Sequence, residues 1–301
     1  MRLVSLLDES PRRGDGAVTR TGLVVGDEVV DLTDPAVGLP GDMVGLLSLE
    51  DAATDALLGA ASTGARRLPM ERVRLAAPVP RPRSFLAIAR NYEAHLRELG
   101  HERPEYQTSF SKQSTCVIGP GEAIEVPRVS ATVDYEGELG LVIGRRCRHV
   151  PAEAALGVVA GATVVNDVSV REWQWRTPTM MMGKGFDTHW PTGPWVVTLD
   201  EAEDLQDLFV RTWVNGELRQ DGTTGDMLFT CGQMIEFLSA AFTLLPGTVI
   251  ATGTPAGVAA GEDPRRWLAA GDTVTVEVAG VGRLTTPLVD EPAHHRTDGV
   301  A

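Results

Sequence analysis

Short apolar runs separated by turn residues dominate the chain, and few of them repeat with a helical period. Leu3–Leu7, Ala17–Val25 and Glu28–Leu32 read as strands, with Gly26-Asp27 as a hairpin turn between the last two. Leu46–Ala61 reads as a helix. The stretch Pro78-Val-Pro-Arg-Pro82 breaks regular structure and sets the expected boundary between a small α/β unit, 1–77, and a larger one, 78–290. Residues 291–301 form a polar tail.

Beyond the boundary, Phe85–Ala89 is a short apolar strand. Asn91–Leu99 follows as a helix, with Asn91 as its expected N-cap and Gly100 as its stop. Val133–Ile143 alternates apolar and polar positions as one strand. Gly157–Val165 is an apolar strand that delivers Asn166 and Asp167 to its C-terminal end. Ser169-Val-Arg-Glu172 has the spacing of a capping box opening a short helix. Asn215-Gly216 between Phe209–Val214 and Glu217–Gln220 signals a type I′ hairpin. Met234–Ala241 is helical, Thr248–Thr252 is a strand, and Thr273–Val278 with Arg283–Leu288 makes a last antiparallel pair. The pattern is mixed α/β and predominantly β.

Composition narrows the function. Of the 301 residues, 43% are hydrophobic and 23% charged, ordinary for a globular protein, while 32 Gly and 19 Pro favour turn-rich β structure. A net charge of −14 disfavours nucleic acid and anionic membranes as partners. It leaves room for an anionic small substrate met by local cations. Cys116, Cys147 and Cys231 have neither zinc nor disulfide spacing, which suits a reducing cytoplasm. The first ten residues lack the apolar core of a signal peptide, and no apolar run is long enough to span a bilayer.

The chemistry concentrates around Asp134-Tyr-Glu-Gly-Glu138. In a strand, Glu136 and Glu138 point to one face, and two glutamates there ask for water or a cation. With Asp167 they form a set of hard oxygen donors suited to Mg²⁺. Separately, they read as a half-wet strand face and an Asx turn. His95 and Glu98, three apart on a helix, share a face; the pair is either a carboxylate-tuned base or an exposed ion pair. Lys184, between two glycines, could present its ammonium to a carboxylate or an enolate, or belong to a flexible basic loop. Glu93 with Arg97 reads as a solvated pair, His189 as structural, and Met180–Met182 as core. Trp173, Trp175, Met180–Met182 and Trp190 also hint at a roomy apolar substrate end. Thr252–Gly257 could hold an anion through backbone N–H groups or be an ordinary turn. No Gly-x-Gly-x-x-Gly follows a strand and no Gly-x-Ser-x-Gly is present.

Several motifs in fixed order carry a resemblance. They are Asn91-Tyr92-x-x-His95-x-x-Glu98, Phe110-x-Lys112, Ile118-Gly-Pro-Gly121, Asp134-Tyr-Glu-Gly-Glu138, Asn166-Asp-Val-Ser-Val-Arg171, Gly183-Lys-Gly-Phe-Asp-Thr188, Val214-Asn-Gly-Glu217 and Thr252-Gly-Thr-Pro-Ala-Gly257. Together they resemble the fumarylacetoacetate hydrolase family. The resemblance implies a mixed β-sandwich roll behind a small N-terminal α/β domain. It implies Mg²⁺ or Mn²⁺ on Glu136, Glu138 and Asp167, and a catalytic trio of His95, Glu98 and Lys184. It places Arg90, Tyr92, Arg171, Gln174, Lys184, Thr254 and Gly257 at substrate-binding positions. It further implies a homodimeric enzyme that hydrolyses a C–C bond in a 2,4-dioxo acid of the acylpyruvate type. Decarboxylation of oxaloacetate or another β-keto acid, isomerase and lyase chemistry are the alternatives at the same site. Ala89, Glu172 and Ala259 depart from the usual family residues and bear on loop shape more than on the metal ligands.

Overall fold

The computed structural model describes residues 1–7, 19–49, 56–57, 59–60, 64–202 and 204–293. It is mixed α/β, with strands predominating and few helices. A mixed sheet of 11 strands runs in the order Arg67–Pro69, Glu28–Asp31, Thr19–Val25, Arg2–Leu7, Trp190–Thr198, Val159–Asn166, Gly137–Ile143, Val249–Ala251, Phe85–Ala89, Thr108–Ser111, and Val117–Ile118 joins it beside Trp190–Thr198. The N-terminal strands thus extend the sheet of the larger unit: Arg2 and Leu3 pair with Val197 and Val196. A second sheet of five strands orders Glu217–Thr223, Phe209–Val214, Thr273–Val278, Gly282–Asp290 and Ile124–Val126. The main core lies between the sheets, where Leu139, Leu141 and Ile143 meet Val210, Val274 and Val276.

Several expected elements change on inspection. The predicted strand Val133–Ile143 is two pieces, Val133–Asp134 and Gly137–Ile143. Tyr135 and Glu136 fall in the break because Asp134 leaves the large sheet to pair with Ser169. The half-wet face is absent: every residue of Gly137–Ile143 is buried. The first helix begins earlier than predicted, at Met43–Leu47, where Asp42 caps it by accepting from the Gly45 N–H at 2.7 Å. Part of the predicted Leu46–Ala61 helix, the first residues of Ala17–Val25 and most of the C-terminal tail lie outside the described residues.

Asn91 is not a helix cap. The helix is Glu93–Glu98, its N-cap is Tyr92, and no side chain caps it. The Asn91 amide turns instead to distant backbone, donating to Thr252 O at 2.7 Å and Phe229 O at 3.1 Å and accepting from Phe229 N at 2.9 Å. Nor does Ser169 form a capping box. Its hydroxyl donates to Asp167 O, while the Glu172 N–H goes to the Thr132 hydroxyl. A capping box does open the Cys231–Ala241 helix, made by Thr230 and Gln233. The Met180–Met182 run is core only at its start: Met180 is half-buried against the core, while Met181 and Met182 are exposed, at 41% and 51%. Solvent is available to them because the short helix Met181–Lys184 packs on Gln174 through Gly183 rather than through its methionines.

Candidate active site

Strand register assembles the acidic cluster. Gly137 pairs with Asn166 in the antiparallel ladder, so Glu136 sits beside Asp167, whose N–H donates to Glu136 O at 2.8 Å. On the other side Gly140 pairs with Ala251, which brings Gly253 to Glu138; its N–H donates to Glu138 Oε2 at 2.7 Å. Glu136, Glu138 and Asp167 are all buried, and each offers an oxygen within 4.8 Å of the others. Residues 31 apart in sequence therefore converge as the spacing alone could not show.

Buried cations surround this cluster. Lys184 Nζ donates to Glu136 Oε2 and, at 2.8 Å, to Asp167 Oδ2. Lys112 Nζ donates to the other Asp167 oxygen and to the carbonyls of His189 and Val168. Arg171 bridges Asp134 (Nε, 2.8 Å), Glu136 (Nη1, 2.6 Å) and Gln174 Oε1 (Nη1, 2.9 Å). Asp134 is itself anchored by the N–H groups of Ala259 and Ala260. Burial disfavours ionised Glu136, but Lys184 and Arg171 outweigh it and hold the carboxyl below its ordinary range. Burial likewise opposes the Lys184 charge, and Asp167 with Glu136 overcomes it, raising its pKa. Glu138 goes the other way: burial, then the neighbouring Asp167 and Glu136 charges, push its carboxyl well up.

That asymmetry is the test of fit for a divalent ion. Two carboxylates are already matched by ammonium and guanidinium, while among the described residues Glu138 has only the Gly253 N–H as a hydrogen-bond partner. Three clustered oxygen donors with an unmet negative charge suit a hard dication such as Mg²⁺ or Mn²⁺.

His95 and Glu98 stand at the cavity edge. His95 Nδ1 lies 3.2 Å from Glu98 Oε2, and both side chains are largely buried, 8% and 16% exposed, so the pair is not a solvated surface bridge. Glu98 Oε1 accepts from the Gly257 N–H at 2.8 Å. Gly257 supplies this donor from φ +106, and a Cβ there would meet Arg219 O at 2.0 Å. Glu93 with Arg97, by contrast, is exposed.

A cavity of about 360 Å³ joins these groups; its lining includes Arg90, His95, the triad, Arg171, Gln174, Lys184, Gly253 and Thr254. Tyr92, Glu98 and Gly257 are not among its lining residues. Tyr92 is buried, with a hydroxyl that has no partner among the described residues, and burial followed by the Glu138 charge raises its pKa. Thr254 donates to Gly137 O and accepts from Gln220 Nε2, at 2.9 and 2.8 Å. The Met182-Gly-Lys-Gly segment is a helical turn with Lys184 buried, not a flexible loop. His189 is buried, with Nε2 3.1 Å from Glu125 O. Lys112, Asp134, His101 and Arg176 had no role assigned from sequence. Lys112 was visible within Phe110-x-Lys112, but its partner Asp167 is 55 residues away.

The fumarylacetoacetate (FAA) hydrolase C-terminal family model matches residues 84–289, and the chain belongs to that family. Protein Rv2993c of Mycobacterium tuberculosis is 42% identical over 224 residues, 74% of this chain and 82% of that protein. The solved fumarylacetoacetate hydrolase of Exiguobacterium antarcticum has 32% identity and a TM-score of 0.81, covering 97% of this chain and 100% of that one. Maleylpyruvate hydrolase from Sphingobium sp. SYK-6, solved with manganese(II) and pyruvate, has 31% identity and a TM-score of 0.79 at coverages of 97% and 100%. Fold, buried acidic triad and relatives together define an enzyme of this family with a site for a divalent metal. Among the described residues no helix is long and apolar enough to cross a membrane.

Proposed function

We propose that the chain is a Mg²⁺- or Mn²⁺-dependent hydrolase that cleaves the C–C bond of a 2,4-dioxo acid of the acylpyruvate type. Glu136, Glu138 and Asp167 would hold the ion, which supplies Lewis-acid polarisation of the 2-oxo acid head when bound. The observation that carries the hydrolytic reading is the buried His95–Glu98 pair, with the second Glu98 oxygen held by Gly257.

Glu98 beside Nδ1 fixes the tautomer that leaves Nε2 of His95 basic. His95 takes a proton from water, and the resulting hydroxide attacks the C4 carbonyl. The C3–C4 bond breaks, its electron pair passes into the enolate of the 2-oxo acid, and the acyl group leaves as a carboxylate. The proton held on His95 returns to C3. Lys184 Nζ, buried beside Glu136 and Asp167, stands where the enolate charge develops. Gln174 is pinned by Arg171, and among the described residues its amide NH₂ meets no acceptor stronger than the Met180 sulfur, 3.6 Å away, which leaves it available to a substrate oxygen.

Decarboxylation of a β-keto acid would use the triad and Lys184 without a water-activating base. The anchored dyad favours hydrolysis. His95→Ala assayed on acetylpyruvate and oxaloacetate separates the two. The proposal expects the first activity to fall by about 10²–10⁴-fold; equal retention of both would remove the dyad from the reaction.

A further inference from the structure

The apolar end expected from Trp173, Trp175, Met180–Met182 and Trp190 is thin, since only Trp175 and Met180 of that group line the cavity. Another part of its wall is the turn from Gly253 to Gly257, which lines it through Gly253 and Thr254. This turn touches both halves of the site. At its start the Gly253 N–H donates to Glu138 of the acidic triad, at 2.7 Å. At its end the Gly257 N–H donates to Glu98 of the dyad, at 2.8 Å. One short stretch of backbone therefore serves the metal centre and the base together.

The turn rests on Glu217–Thr223, the edge strand of the five-stranded sheet. Pairing with Phe209–Val214 slips at Arg219: Thr212 faces Gln220, whereas Trp213 faces Leu218. Such a bulge re-aims side chains that strict alternation would send to opposite faces. Leu218 stays exposed, while the Arg219 side chain is only 10% exposed and Gln220 is fully buried. The backbones come close here. A Cβ at Gly257 would strike Arg219 O, and one at Gly222 would strike Pro255.

Gln220 closes a ring of hydrogen bonds. Its Oε1 accepts from the Gly137 N–H at 2.9 Å. Its Nε2 donates to Thr254 Oγ1 at 2.8 Å and to Pro255 O at 2.9 Å. Thr254 Oγ1 donates in turn to Gly137 O, at 2.9 Å. Only one assignment of protons fits. Pro255 O can only accept and the Gly137 N–H can only donate, so the amide has a single orientation. Thr254 receives from Gln220 and so gives its own proton to Gly137. Gly137 stands between Glu136 and Glu138. The ring thus ties the peptide carrying two of the three carboxylates to the middle of the turn. A neutral amide does this without adding charge to a buried cluster that is already dense with it.

We propose that Gln220 is a positioning residue that sets Glu138 and His95 relative to each other, acting through the Gly253–Gly257 turn. The role of His95 as base rests on the hydrolytic reading above; the anchor itself does not.

Two readouts without turnover test it. One is Mn²⁺ affinity, by calorimetry on EDTA-treated protein. The other is the His95 tautomer, from its ring-nitrogen shifts in ¹⁵N-labelled, metal-free protein. Gln220→Met keeps the side-chain length and removes the amide. It is expected to bind Mn²⁺ about 10–100-fold more weakly and to lose the single tautomer, protonated on Nδ1, that Glu98 holds in the wild type. Its kcat on acetylpyruvate at saturating Mn²⁺ should fall by at least about tenfold. Gln220→Glu keeps the acceptor for Gly137 and regains a donor toward the turn only when protonated. Its Mn²⁺ affinity and kcat, each relative to wild type at the same pH, should rise as pH falls, and this variant carries the test if Gln220→Met does not fold. Both turnover-free readouts changed in Gln220→Met, with no hydrolysis by the wild type, supports the anchor and refutes the hydrolytic reading alone. Wild-type Mn²⁺ affinity or an unchanged His95 tautomer in folded Gln220→Met, or Gln220→Glu ratios flat with pH, overturns the anchor.

Discussion

Lys112 donates to Asp167 Oδ1 from a fully buried position, while Lys184 takes the opposite Asp167 oxygen. Asp167 is thus held between two ammonium groups, and among the described residues Lys112 has no other side-chain acceptor: its remaining hydrogen bonds go to His189 O and Val168 O. This fixes the carboxylate plane and orients one oxygen toward Glu136 and Glu138. Lys112→Met removes the outer partner and leaves a buried carboxylate and two carbonyls short of a donor. The expected result is a loss of about 3–5 kcal/mol in denaturant unfolding and Mn²⁺ binding weaker by about 10–100-fold. Calorimetry on EDTA-treated protein checks the second; undiminished affinity would reduce Lys112 to a packing role.

Metal binding at the triad is predicted to depend on pH through Glu138. Its carboxyl is raised by burial and by the Asp167 and Glu136 charges. Below the raised value a proton must leave before Glu138 can ligate a cation, so affinity climbs with pH, by up to about tenfold per unit. Stability of the metal-free protein has the opposite sign. A raised folded-state pKa contributes stability below the ordinary glutamate value, and that contribution is lost as pH rises through the folded value. Added Mn²⁺ should reverse the loss. Mn²⁺ titrations and melting curves from the ordinary glutamate value upward, on wild type and Glu138→Gln, give both readings; a flat affinity profile in the wild type contradicts the assignment.

Gly257→Ala should damage the dyad more than the metal centre. The new Cβ meets Arg219 O and forces a side chain into φ +106, a cost of roughly 1–3 kcal/mol before the clash is counted. The Glu98 contact to the Gly257 N–H is the casualty, and with it the tautomer of His95. Hydrolysis should fall while Mn²⁺ affinity is retained. Loss of Mn²⁺ binding in step with activity would show that the loop supports the triad instead.

What could be read from sequence was set by local chemistry. Asn215-Gly216 announces its hairpin because both residues must take positive φ, and they do, at 52 and 83. Glu136 and Glu138 stand out as two carboxylates on one expected strand face, and Asp167 as a third just past the end of another. Distant partners hid the rest. Asn91 looks like a cap, but its amide is claimed by Phe229 and Thr252, 138 and 161 residues away. Ser169 has capping-box spacing, yet Asp167 and Thr132 already take the groups a box would use. The break at Tyr135–Glu136 arises because Asp134 answers to Arg171 and the Ala259–Ala260 backbone, which no window around residue 134 contains.

The most direct test is metal add-back on a 2,4-dioxo acid. Wild-type protein stripped with EDTA is titrated with Mn²⁺ while C–C hydrolysis is followed, with Glu138→Gln in parallel. A single ion per chain restoring turnover in the wild type, and much weaker binding with little recovery in Glu138→Gln, is the predicted result. Turnover indifferent to EDTA, or equal Mn²⁺ binding by both proteins, would contradict a reaction centred on these three carboxylates.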